Sequence, residues 1–109
     1  MNASKQPNVL FIFTDDQRPD AFGAVGNTDI KTPNMDSIFR DGFVFKQAYI
    51  QGSMTNATCL PSRAMIMSGK SLFRAPLRLD SGMLLPQALQ KGGYHTFATG
   101  KWQNGDLTF

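Results

Sequence analysis

The residues best placed to do chemistry lie in one stretch, Cys59-Leu60-Pro61-Ser62-Arg63-Ala64-Met65-Ile66-Met67-Ser68-Gly69, which holds the only cysteine of the 109-residue chain. Pro61 suits the first turn of a helix, where its missing N–H costs nothing. Gly69 stands where a helix would stop in a left-handed turn. The apolar run Ala64 to Met67 lies between them, so the spacing predicts a helix beginning at Cys59. A helix N-terminus gathers unpaired N–H groups and the positive end of the dipole, and both favour an anion. Arg63 is four residues on, which predicts a guanidinium beside the sulfur. The alternative for a lone cysteine is a small buried hydrophobe at the start of a core helix.

A second chemical pair is Asp15-Asp16, which directly follows the apolar run Val9-Leu10-Phe11-Ile12-Phe13 and Thr14. Adjacent carboxylates repel unless a cation or hydrogen-bond donors intervene. Hard cations such as calcium take carboxylate oxygens of this kind. Read alone, the pair either binds a metal or opens a solvated turn. Arg18 and Asp20 follow as loop residues at the entrance of such a site.

These side chains need elements to hold them. Residues 9–13 are short, continuous and rich in β-branched and aromatic types, which predicts a strand buried on both faces. Asp15 and Asp16 would then lie beyond its carboxyl end, where ligands bind in open α/β sheets. Residues 21–32 form a loop. Thr32 is the predicted N-cap and Pro33 the first residue of a helix ending at Asp41-Gly42, with Met35, Ile38 and Phe39 as its apolar face. Residues 43–49 predict a second strand, with Phe43 and Phe45 on one side and Val44 on the other. The polar loop 51–58 delivers Cys59, and residues 70–83 are irregular. Residues 84–91 predict a helix with Leu85, Ala88 and Leu89 buried, stopped by Gly92-Gly93. Residues 94–99, which include the single His95, predict a third strand, and residues 100–105 turn away from it. This order predicts an α/β layered fold. It divides the chain into an N-terminal tail, 1–7, and one domain, 8–109.

Composition excludes several classes. Hydrophobic residues make up 41% and charged residues 17%, which is the balance of a globular chain. The net charge of +3 is scattered, so no basic stripe marks a nucleic-acid surface. No apolar run reaches the ~18 residues of a membrane span. The start of the chain lacks the apolar core of a signal peptide, so the chain reads as cytoplasmic as written, and as periplasmic or secreted if a leader has been removed. Gly69-Lys70-Ser71 does not complete a phosphate-binding loop, because Ala64 stands where that motif needs its first glycine.

Cys59-x-Pro61-Ser62-Arg63, four residues, then Ser68-Gly69 resembles the signature of the formylglycine-dependent sulfatases, with Ser68 in place of the usual Thr. Gly93-Tyr94-His95-Thr96, running into Gly100-Lys101-Trp102, resembles the second signature of that family. The strand ending in Asp15-Asp16 and the helix opening at Thr32-Pro33-Asn34 match it as well. The resemblance covers nearly all of residues 7–105. It implies the alkaline-phosphatase-like fold, a mixed or parallel sheet with helices on both faces. It also implies that the chain is the N-terminal part of a longer catalytic domain.

The resemblance further implies a mechanism. Cys59 is oxidised by a formylglycine-generating maturation enzyme, and the hydrated aldehyde attacks a sulfate ester, on a small molecule or a glycan. Asp15, Asp16 and the modified Cys59 hold a divalent metal, most often Ca2+. Arg63 steadies the hydrate and Lys101 contacts the sulfate. No nucleic acid or membrane takes part. Two positions depart from the family pattern. Thr99 replaces a small residue, and Gln103 stands where the family has a histidine that bonds the formylglycine hydroxyl. Glutamine can donate or accept there but cannot shuttle a proton near neutral pH. Two alternatives stay open: a formylglycine hydrolase of phosphonate or phosphate esters, and a non-catalytic remnant.

Overall fold

In the computed structural model, residues 6–54 and 56–105 are described. The tail residues 1–5, Thr55 of the delivering loop, and the last residues 106–109 lie outside that range. The chain forms two compact units, Met1–Phe45 and Lys46–Phe109. Among the described residues three α-helices follow in order: α1, Pro33–Asp41; α2, Cys59–Ser68; and α3, Leu85–Lys91.

In the first unit α1 starts at Pro33 and stops before Gly42, whose N–H donates to the Ile38 carbonyl. Thr32 is the N-cap residue, but its hydroxyl does not cap α1. It accepts from the Gly23 N–H at 2.9 Å and donates to Asp36 Oδ1 at 2.8 Å. The same carboxylate oxygen accepts from the Ala24 N–H. These bonds fasten α1 to the single 3-10 turn Gly23–Val25, and Phe22 packs on Phe39 with ring centroids 5.0 Å apart. Of the face predicted for α1, Met35 and Phe39 are half-buried, but Ile38 is 55% exposed. The Phe22 contact draws the helix over on its Phe39 side.

The second unit has a small core of Ala64, Leu79 and Leu84, with Met67, Ala75 and Trp102 packed against it. α2 contributes Ala64 and Met67. It ends as the spacing predicts: Gly69 adopts φ 66° and its N–H bonds the Met65 carbonyl. α3 begins at Leu85 rather than Leu84, since Leu84 is extended and its N–H donates to Gln87 Oε1 at 2.8 Å. The expected buried stripe is therefore displaced. Leu84 and Pro86 are buried, whereas Leu85 and Ala88 are exposed and Leu89 is half-buried. The extended Leu84 drops its side chain into the core ahead of the first turn. Gly92 then closes α3 on the Ala88 and Leu89 carbonyls.

The expected sheet is not seen: among the described residues no strand forms. Residues 9–13, 43–49 and 94–99 make no ladder, and a turn at residues 46 and 47 interrupts the second. A strand exists only when its N–H and C=O groups meet a neighbouring strand, and among the described residues none is laid beside these segments. Val9 to Phe13 are accordingly exposed rather than buried on both faces. The two-residue period does persist locally, since Phe11 stacks on Phe13 at 6.1 Å and Phe43 lies against Phe45 at 5.3 Å.

Candidate functional site

Cys59 opens α2, as its spacing predicts, and it is a free, half-buried thiol. Thr58 precedes it as N-cap, and the Ser62 N–H makes the first helical bond, to the Thr58 carbonyl at 3.0 Å. The Ser62 hydroxyl donates to the same carbonyl at 2.6 Å. The loop before the helix is tied down by Ser53, whose hydroxyl donates to the Ala57 carbonyl, and by Gln51, whose Oε1 accepts from the Leu72 N–H.

Arg63 does reach back one turn, but to the backbone. Its Nη1 donates to the Cys59 carbonyl at 3.1 Å, and its Nε donates to the Lys101 carbonyl at 3.3 Å. The side chain is 6% exposed. These two bonds make Arg63 a clamp between two stretches of backbone. A guanidinium presents several donors in a rigid fork, and here two of them meet carbonyls, one 4 residues back and the other 38 residues on. The start of α2 and the Gly100-Lys101-Trp102 segment are thereby held within the span of one side chain.

The Lys101 and Gln103 side chains are both exposed. Trp102 is half-buried on the core, and its indole Nε1 donates to the Gly105 carbonyl at 2.7 Å, closing the turn on itself. Gly105 has φ 104°, and a Cβ there would lie 2.5 Å from Asp80 Oδ1, so this turn needs glycine. Asp80 is itself paired with Arg78 at 2.8 Å. His95 is exposed on the segment after α3.

Asn104 was not foreseen. It is fully buried, and its Nδ2 donates to the Leu60 carbonyl at 3.0 Å and the Leu77 carbonyl at 2.7 Å. Its own carbonyl accepts from the Leu79 N–H at 2.7 Å. Its Oδ1 is buried with no donor. The only signal in the sequence is Asn104-Gly105, which marks a turn and says nothing of burial.

Asp15 and Asp16 belong to the first unit and both are exposed. Asp16 has φ 54°, the only left-handed backbone among the described non-glycine residues. Aspartate tolerates that region better than most side chains, and strain of this kind concentrates at ligand sites. A calcium ion takes ~6–8 oxygens. Among the described residues no group of three or more His, Cys, Asp or Glu converges. The two aspartates do not make a metal centre by themselves. Arg18 and Asp20 bind each other in a forked pair at 2.6 and 2.8 Å. The Arg18 hydrogen bond holds the Asp20 carboxyl below its ordinary range, and Asp20 in turn raises Arg18 above its own. No described helix is long and apolar enough to cross a membrane.

Comparison with known proteins agrees with the two motifs. The Sulfatase family model matches residues 7–107. An N-acetylglucosamine-6-O-sulfatase of Bacteroides thetaiotaomicron is 35% identical over 105 residues, covering 91% of this chain and 18% of that protein. The human N-acetylgalactosamine-6-sulfatase is 30% identical, covering 94% of this chain and 23% of its own. Mouse arylsulfatase J is 34% identical, covering 94% of this chain and 18% of its own. The chain spans about a fifth of the length of these relatives. No solved structure matches.

Proposed function

The chain belongs to the sulfatase family, and from that premise we propose that it carries the nucleophile-bearing, N-terminal portion of an enzyme that hydrolyses sulfate esters. Sulfate-ester hydrolysis is the chemistry of the family, whose fold is α/β and alkaline-phosphatase-like. The observation that carries the finer assignment to this chain is the Arg63 clamp. It bonds the backbone carbonyls of Cys59, from the first signature, and Lys101, from the second, to one guanidinium.

In this assignment residue 59 is the nucleophile. Converted to formylglycine, it supplies a hydrated aldehyde able to attack sulfur and release the alcohol, a covalent route in two steps. The chain's own residues prepare that event. The N-terminus of α2 offers backbone donors and a positive dipole to the sulfate oxygens. Arg63 fixes the backbone at residues 59 and 101, so that little reorganisation is needed when charge develops. Lys101 supplies a cation that offsets the sulfate charge. Gln103 offers an amide where relatives offer an imidazole, so it can hold a hydroxyl by hydrogen bonding but not carry its proton. Asp15 and Asp16 are the proposed carboxylate contribution to a divalent cation, most suitably calcium. The described residues supply only this part of its shell, and no step is derived through it.

The substrates proposed are small-molecule or glycan sulfate esters, since relatives named for aryl and for amino-sugar sulfates lie at similar distance. The test is a paired assay of this chain, matured with a formylglycine-generating enzyme, on an aryl sulfate and the matching aryl phosphate. Slow hydrolysis that prefers the sulfate to the phosphate and is abolished by Cys59→Ala is the expected result, since the chain supplies only part of the cation's shell. Preference for the phosphate would reassign the site to phosphoester chemistry. Gln103 favours one further reading, an anion-binding site without turnover. A Gln103→His variant that gains hydrolysis over the parent would identify it.

A further inference from the structure

Asn104 is a costly residue to keep. A buried carboxamide oxygen with no donor forfeits the hydrogen bond it had in water, and leaving such a group unpaired is unfavourable. An aliphatic side chain would avoid that cost, unless the amide's donors are needed. Both are used, and both on carbonyls of other segments, residues 60 and 77. The alternative amide orientation would turn the oxygen toward those two carbonyls, so the donor assignment is fixed by the network.

The bonds form a pattern. Arg63 ties the carbonyl of residue 59 to that of residue 101, and Asn104 ties the carbonyl of residue 60 to its own segment three residues later. The turn from Lys101 to Asn104 is therefore fastened at both ends to consecutive carbonyls in the first turn of α2. A third tie, from the Leu79 N–H to the Asn104 carbonyl, joins the turn to a core residue. One fastening would leave the turn free to pivot about Arg63; two fix its direction.

We infer that Asn104 is a positioning residue: its amide locks the 101–104 turn against the first turn of α2, and so holds the Lys101 cation and Gln103 at the Cys59 end of the helix. Asn104 itself is buried and touches no substrate. The inference deepens the sulfate-ester reading by assigning the rigidity of its cationic wall to a residue outside both motifs.

The test uses the unmodified thiol of the 109-residue chain and two alkylating probes of similar size, neutral iodoacetamide and anionic iodoacetate. The quantity read is the ratio of the iodoacetate rate to the iodoacetamide rate at Cys59, normalised to the same ratio on an unfolded Cys59 peptide. A change in thiol ionisation or in general exposure moves both rates together and leaves the ratio alone. For a unit positive charge at a separation of about 6 Å in water-like dielectric, Coulomb's law gives an increase in the ratio of about threefold. Lys101→Met should remove that preference. Asn104→Ala should lower the ratio to the Lys101→Met value, and the double variant should fall no further. Asn104→Ser, which keeps one donor, should lie between, and it serves as the readout if Asn104→Ala does not fold. A ratio unchanged in the Asn104 variants, or a parent ratio no higher than that of Lys101→Met, overturns the inference. Failure of Cys59 to mature, or of the chain to hydrolyse sulfate esters, would instead count against the proposed function, because neither enters this ratio.

Discussion

The two units of this chain hold their candidate site residues in contrasting ways. In Lys46–Phe109 Cys59 opens a helix that adds Ala64 to a small core, and the buried polar side chains of Arg63 and Asn104 bond the carbonyls of residues 59 and 60. In Met1–Phe45 no described residue is buried, and Asp15 and Asp16 follow an apolar run that stands exposed. The stretch around Cys59 is built largely from short-range information: a helix, its cap, and side chains that reach carbonyls. Asp15 and Asp16 follow a segment that the sequence reads as a strand, and a strand has no stable form until another pairs with it.

Substitution of apolar residues should break this symmetry most visibly. Leu79→Ala removes a side chain 2% exposed at the centre of the second unit. It should cost about 2–4 kcal/mol in a urea melt followed by the Trp102 signal. Leu10→Ser changes a residue 85% exposed in the first unit. It should shift the same melt by no more than about 0.5 kcal/mol. Equal losses at the two positions would mean that the apolar run is packed after all.

A smaller effect is expected at the end of α2. A Cβ on Gly69 would meet nothing within 4 Å, so the cost of Gly69→Ala is conformational alone, from holding alanine at φ 66°. That is about 1 kcal/mol, measurable as a lower urea midpoint with unchanged slope. No loss would show that the helix ends elsewhere in solution.

How much was legible beforehand follows the same division. Pro33, Asp41, Cys59 and Gly69 mark helix ends by local chemistry, and the helices begin or end there. The three strands were read from composition, which cannot supply the pairing partner. Leu79 lies between Arg78 and Asp80 in an irregular stretch with no periodicity to announce a core residue. Asn104 was hidden because its partners, Leu60 and Leu77, are 44 and 27 residues away. Arg63 reaches back one turn to residue 59, and its bonds to the carbonyls of residues 59 and 101 were not legible because a carbonyl carries no mark in a sequence.

The smallest expected effect belongs to the exposed Arg18–Asp20 pair of the first unit. Asp20 is held below its ordinary range, so any stabilisation is present above the unfolded carboxylate range and disappears as pH falls through the lowered folded value. Both groups are solvent-exposed and the pair is screened, so the effect on a melt should be slight. The Asp20 side-chain carbonyl should titrate by NMR below an aspartate in a short unstructured peptide. Arg18→Gln should return it to the peptide value.

The central claim is that Cys59 is a nucleophile precursor rather than a core thiol. Its most direct test is the mass of the Cys59 peptide after co-expression of this chain with a formylglycine-generating enzyme. The expected product has the thiol replaced by an aldehyde, lighter than cysteine and trapped by hydroxylamine. A peptide that keeps its sulfur and is fully alkylated by a thiol reagent would contradict it.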